Sequence, residues 1–168
     1  SMSKPSECVD INVHGLLNVL EEASAAKVRK LVFASSAAIY GDNPTVPKIE
    51  SMLPEPKSPY AITKLDGEYY LDMFRREGRL ETAAIRFFNV FGPRQRPDHE
   101  YAAVLPKWIW LAMQGMPIDV YGDGTASRDF TYVETVLDIA MTAMKEKVVT
   151  EGAVNLAYGN RIYLNDTI

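Results

Sequence analysis

The chain has 168 residues, 47% of them hydrophobic and 24% charged, with a formal net charge of −4 and one cysteine. That is enough for one domain, or a domain and part of a second, with an ordinary globular composition. The acidic balance argues against nucleic acid as the main partner, no apolar run reaches the length of a membrane span, and the lone Cys8 excludes an internal disulfide and fits a reducing cytoplasm. His14 and His99 have no companion ligands in the sequence, so no metal site is expected.

Taken in chain order, Val9 to Ala26 reads as a helix, with Ile11, Leu16, Val19, Leu20 and Ala23 supplying an apolar face. Leu31-Val32-Phe33-Ala34 is a short apolar run of the kind that forms buried parallel strands, and it stops at Ser35-Ser36. The C-terminal ends of such strands are where open α/β sheets bind ligands. Residues 41–58 are rich in proline and read as an irregular loop. A helix is predicted from Pro59 to about Glu77, with Ser58 as N-cap, Pro59 in its first turn and Gly78 as its stop. Glu81 to Phe88 reads as a second buried strand. Beyond Gly92-Pro93 the pattern predicts a helix from about Ala102 to Gln114 and strands near Ile118–Tyr121 and Phe130–Tyr132. A helix over Val133–Lys147 and a last strand over Val154–Leu156 follow. Alternating strands and helices imply an α/β fold with a parallel sheet. Trp108 and Trp110 are expected to pack in the second part, with Met113, Met116, Met141 and Met144 as core or interface filler.

The chemistry concentrates at Tyr60 and Lys64, which stand at i and i+4 on one face of the predicted helix. A phenol is a poor base at neutral pH, but an ammonium held beside it favours the phenolate. A serine hydroxyl can pass a proton between that phenol and an alcohol oxygen, so Tyr, Lys and Ser together can move a proton on or off a sugar hydroxyl. On its own the bare spacing is weak, since such pairs more often lie on a solvated helix face.

Five segments occur in order: Asn12-Val13-His14-Gly15, Phe33 through Asp42, Ser58-Pro59-Tyr60 through Lys64, Arg86 through Gln95, and Gly122-Asp123-Gly124 with Ser127-Arg128-Asp129-Phe130. Together they resemble the extended short-chain dehydrogenase/reductase family, and most closely its NAD-dependent nucleotide-sugar epimerases and dehydratases. The resemblance implies a Rossmann-like, doubly wound parallel sheet over residues 1–92. Residues 93–168 would then be mainly part of a small substrate domain, with some segments returning to the first. It further implies Tyr60 as catalytic acid/base, Lys64 as its partner and a ribose contact, Ser36 as the catalytic serine and Ser35 as a hydroxyl that helps orient the sugar. Phe88 and Asn12 would lie on the cofactor side. Asn89, Arg128, Ala103, Val104 and Tyr121 would hold the nucleotide diphosphate and base, the last three being the looser assignments. Arg128 also fits an ion pair with Asp123 or Asp129, and Asn89 a simple turn.

In the resembled family the reaction is transient oxidation: Tyr60 would take the proton of the sugar C4 hydroxyl while hydride passes to NAD, and return of hydride to the other face of the 4-keto sugar inverts the centre. Family members that eliminate water or carboxylate place an acidic residue just after the serine or threonine. Here Ala37 and Ala38 occupy those positions, which favours an epimerase of UDP-hexoses, UDP-N-acetylhexosamines or their uronic acids over a 4,6-dehydratase or reductase. No glycine-rich strand–turn–helix segment for a pyrophosphate is found, so the chain reads as an epimerase fragment lacking the first strands of the sheet and stopping early. A catalytically inactive nucleotide-binding or oligomerising remnant is the rival reading. The resemblance also implies homo-oligomerisation through the helices over residues 10–26 and 59–77.

Overall fold

In the computed structural model, residues 1–98, 103–120, 122–145 and 152–168 are described. The chain divides into two units, one of Ser1–Phe87 with Ile139–Leu156, the other of Phe88–Asp138 with Ala157–Ile168. The division thus falls after Phe87, ahead of Gly92, and the segment that returns to the first unit is Ile139–Leu156.

The first unit opens on a helical path. Helix α1 (Pro5–Val9) runs into a π-helical turn over Asp10–His14 and continues as α2 (Gly15–Ala25). A π turn inserts one residue into an α-helix and marks functional sites more often than chance. Strand β1 (Lys30–Ser36) follows and turns directly into a 3₁₀ turn, Ala37–Tyr40. Helix α3 (Pro59–Arg76) starts where Ser58 accepts a hydrogen bond from the Ala61 N–H, and ends at Gly78, whose φ of +68° suits only glycine without strain. Strand β2 (Glu81–Phe87) comes next.

The numbering continues in the second unit with β3 (Val90–Phe91), α4 (Val104–Met113), β4 (Ser127–Arg128) and β5 (Thr131–Tyr132). Helix α5 (Val133–Lys145) crosses the division, β6 (Ala153–Leu156) returns to the first unit, and β7 (Ile162–Tyr163) with a 3₁₀ turn over Leu164–Asp166 closes the second.

In the first unit β1, β2 and β6 form a parallel sheet in that order, with Ser35 opposite Arg86 and Arg86 opposite Asn155. Its core joins Leu20 of α2, Leu71 and Phe74 of α3, Leu80 and Ala84, with Leu16, Leu31 and Phe33 packed around them. Each fully buried Leu or Phe side chain stabilises the fold by roughly 1.5–3 kcal/mol. Helix α3 closes tightly on this core because residue 67 is glycine: a Cβ there would stand 2.6 Å from Phe33 Cζ and 3.0 Å from Leu16 Cδ2. Arg29 and Lys30 donate to the carbonyls of Met144 and Ala143, satisfying the C-terminal end of α5.

The second unit is held by shorter pieces. β3 pairs with β5 in parallel and β4 with β7 antiparallel, each over two residues. Its core is Trp108, Leu111 and Leu164, packed by Val104, Ile118, Val120 and Phe130. The strand expected near Ile118–Tyr121 does not form over residues 118–120, and Tyr121 lies outside the described residues. Ile118 and Val120 are held by side-chain packing, and the Asp119 carbonyl accepts from Trp108 Nε1, so no strand ladder is needed. Trp108 is buried as expected, whereas Trp110, Met113, Met116, Met141 and Met144 are exposed. No helix among the described residues is long and apolar enough to cross a membrane.

Candidate active site

The first unit brings Tyr60, Lys64 and Ser36 to the C-terminal end of β1. Lys64, one turn into α3 from Tyr60, donates from Nζ to the Ala34 carbonyl at 2.8 Å. Its ammonium lies 5.6 Å from the Tyr60 ring centroid and 4.9 Å from that of Phe33. Burial pulls Lys64 below the ordinary lysine pKa, and the nearby Cys8 sulfur works in the opposite direction. Tyr60 is 40% exposed, and its hydroxyl makes no hydrogen bond to the protein among the described residues. Ser36 caps the 3₁₀ turn, its Oγ accepting from the Ala38 N–H at 3.1 Å, against which α3 packs.

Asn12 sits inside the π turn. Its Nδ2 donates to Thr63 Oγ1 at 3.0 Å and to Cys8 Sγ at 3.5 Å, and Thr63 donates in turn to the Tyr60 carbonyl at 2.8 Å. The irregular helix turn is thereby fastened to the turn of α3 that carries Tyr60 and Lys64. Sequence reading missed Thr63, whose 1% exposure makes it the buried link in this chain.

Ser35, expected to help orient a sugar, is committed to the protein interior. Its side chain is 3% exposed and donates to Glu68. Successive strand residues face opposite sides of the sheet, so with Ser36 at the turn, Ser35 points inward. Glu68 and Arg86 form a bidentate pair, Nε to Oε1 at 2.9 Å and Nη2 to Oε2 at 2.7 Å, with side chains 8% and 7% exposed. Burial opposes the Arg86 charge, but the hydrogen bonds and charge of Glu68 and the bond to Tyr40 outweigh it, and the guanidinium pKa is raised.

The second unit holds a cavity of about 670 Å³ lined by Asn89, Ala103, Val104, Lys107, Trp108 and Arg128, among others. Four residues expected at a nucleotide diphosphate therefore share one cavity, and sequence reading missed Lys107. Asn89 has a φ of +29° and donates from Nδ2 to the Asp129 carbonyl at 3.0 Å, so it is a turn residue and a cavity residue at once. Asp129 is spent on the N–H groups of Tyr158 and Gly159, and Asp123 on Thr125. The Thr125 side chain and backbone hold the Asp123 carboxyl below its usual pKa. The exposed Arg128 donates to the Ser127 carbonyl and makes no ion pair among the described residues, leaving most of its fork for an anion. Phe88 directly follows the end of β2 and precedes Asn89.

A family model described as the NAD dependent epimerase/dehydratase family matches residues 1–157. The chain belongs to this family. The UDP-glucose 4-epimerase of Mycolicibacterium smegmatis is 38% identical over 144 residues, 85% of this chain and 46% of that protein. Among solved structures, the UDP-N-acetylglucosamine 4-epimerase of Methanobrevibacter ruminantium M1, in complex with UDP-N-acetylmuramic acid, superposes with a TM-score of 0.95 at 36% identity. It is covered over 99% of this chain and 53% of its own. The UDP-glucuronic acid 4-epimerase of Bacillus cereus, with UDP-glucuronic acid and NAD, gives 0.84 at 29% identity over 95% of this chain and 50% of its own. The chain spans about half the length of the relatives it matches. Its parallel α/β sheet is that of Rossmann-fold epimerases.

Proposed function

We propose that this chain carries the proton-transfer and nucleotide-binding residues of a nucleotide-sugar 4-epimerase acting on UDP-sugars. The observation that carries the reading is the Lys64 ammonium, anchored on Ala34 beside the Tyr60 ring at the strand end where Ser36 opens its turn. Tyr60, with its hydroxyl uncommitted, takes and returns the proton of the sugar C4 hydroxyl. Lys64 holds a positive charge beside the phenol ring, and Ser36 passes the proton between the two oxygens. NAD, when bound, supplies the hydride acceptor and donor. The residues present fit its nicotinamide end: Lys64 has N–H groups left after Ala34, and Tyr60 has a free hydroxyl for a ribose; Asn12 and Phe88 are the further cofactor contacts proposed. Asn89, Lys107 and Arg128 suit the diphosphate, and Ala103 and Val104 the base; Tyr121, outside the described residues, is proposed as a further base contact. Ala37 and Ala38 provide no carboxyl for elimination beside Ser36, which favours epimerisation over dehydration.

Self-association and a cytoplasmic setting belong to the same reading. Ile11 and Val19 on the first helical path and Ile62, Tyr69 and Met73 on α3 are large, exposed and apolar, as a surface covered by a second copy would be. The lone, unpaired Cys8 suits a reducing compartment.

Calorimetric titration with UDP tests the nucleotide site. Binding is expected, weakened about 10- to 100-fold by Arg128→Ala. Conversion of UDP-sugars at C4 in the presence of NAD tests the chemistry, and Tyr60→Phe should abolish it. Absence of UDP binding, or turnover that survives Tyr60→Phe, would overturn the assignment.

A further inference from the structure

A row of polar side chains crosses the sheet where apolar ones would cost less. Ser35, Arg86 and Asn155 are register partners on β1, β2 and β6. Two further residues complete the row. Glu68 reaches it from α3, one turn beyond Lys64. Tyr40, 1% exposed at the far end of the 3₁₀ turn, has its hydroxyl on Arg86 Nη1 at 2.8 Å and on Asn155 Oδ1 at 2.7 Å. Asn155 Nδ2 continues to the Lys48 carbonyl at 3.1 Å. None of these side chains leaves a buried polar atom unpaired, so the network is complete.

Charges this deep are a poor way to gain stability, since well-packed apolar residues of similar size do as well or better. What this pair does is geometric. One end of the Ser36 turn is Ser35, bonded to Glu68; the other end is Tyr40, bonded to Arg86. Two successive turns of α3 grip two successive residues of β1, Lys64 on Ala34 and Glu68 on Ser35. We propose that the Glu68–Arg86 pair is a positioning device that holds both ends of the turn carrying Ser36, through Ser35 on one side and Tyr40 on the other, and fixes that turn against the helix of Tyr60 and Lys64. The functional value of the device rests on Ser36 being a proton-transfer residue; the device itself does not.

Two variants remove one hydroxyl each and leave the ion pair intact: Ser35→Ala and Tyr40→Phe. Ser35→Thr retains the donor. Amide hydrogen exchange, followed by NMR on the full chain, reads the turn directly through the Ala38 N–H on Ser36 Oγ and the Gly41 N–H on the Ala38 carbonyl. Both deletions are expected to speed exchange at Ala38 and Gly41 about tenfold, the loss of one net hydrogen bond's worth of protection, while amides around Leu71 and Phe74 in α3 change less than about twofold. Ser35→Thr should exchange as the wild type does. Uniform acceleration across the first unit would mean a stability role only, and unchanged protection at Ala38 would mean no role in the turn; either overturns the proposal. Because no turnover is measured, the result stands apart from the fate of the epimerase reading.

Discussion

The two units hold their candidate site side chains by different means. In the first, Tyr60, Lys64 and Ser36 are set by an 18-residue helix, seven-residue parallel strands and a buried ion pair. In the second, Asn89 and Arg128 sit beside two-residue strands, tied down by single side chains: Asn89 to the Asp129 carbonyl, Asp129 to the N–H groups of Tyr158 and Gly159, and Arg161 to the Ser127 hydroxyl. Proton transfer needs donor and acceptor within hydrogen-bond reach, so its groups belong on rigid elements. The proposed pocket for a flexible diphosphate would tolerate adjustment and can be built from loops.

The contrast predicts unequal costs. Glu68→Ala leaves the Arg86 guanidinium buried without its partner and Ser35 without its acceptor, and should cost about 3–5 kcal/mol, measured as a lower denaturant midpoint. If the loss were no larger than for a surface pair, the first unit would not depend on this anchor. Asp129→Ala removes two hydrogen bonds to backbone in the second unit but strands no charge. About 1 kcal/mol is expected, with faster amide exchange confined to Tyr158 and Gly159. A collapse of the whole second unit would show that it is as tightly coupled as the first.

The smallest effect is electrostatic. Lys64 has a folded pKa below its unfolded value, so between the two the unfolded chain binds more protons and stability rises with pH. Lys64→Met removes that contribution. The stability difference between wild type and variant should therefore move in favour of the wild type as the pH rises towards the ordinary lysine pKa of about 10. A pH-independent difference would place the Lys64 ammonium in water rather than against Phe33.

Much of the first unit was legible in the sequence. The apolar run at Leu31–Ala34, the Ser58-Pro59 start and the Gly78 stop are local signals, and local structure follows them. The π turn was not legible, because one extra residue leaves the apolar spacing of α1 and α2 looking helical throughout. Nor was the parity of the serine pair, since a strand end one residue earlier or later exchanges the inward and outward hydroxyls. Glu68 and Arg86 did leave a trace, an arginine inside the apolar Thr82–Phe88 run and an acid one helical turn beyond Lys64, but only the fold shows that they meet. In the second unit, two-residue strands are too short to display any period, and Asn89, Asp129 and Arg161 act through long-range bonds that no window of sequence contains.

Gly67 shows how far a missing methyl group can act. Its bare Cα lets the Phe33 ring lie against α3, and that same ring forms part of the seat of the Lys64 ammonium. An alanine at 67 would push Phe33 away, admit water beneath the cation and return it toward its ordinary acidity. The residue with no side chain thus helps to decide how readily the lysine gives up its charge, by way of the Phe33 ring.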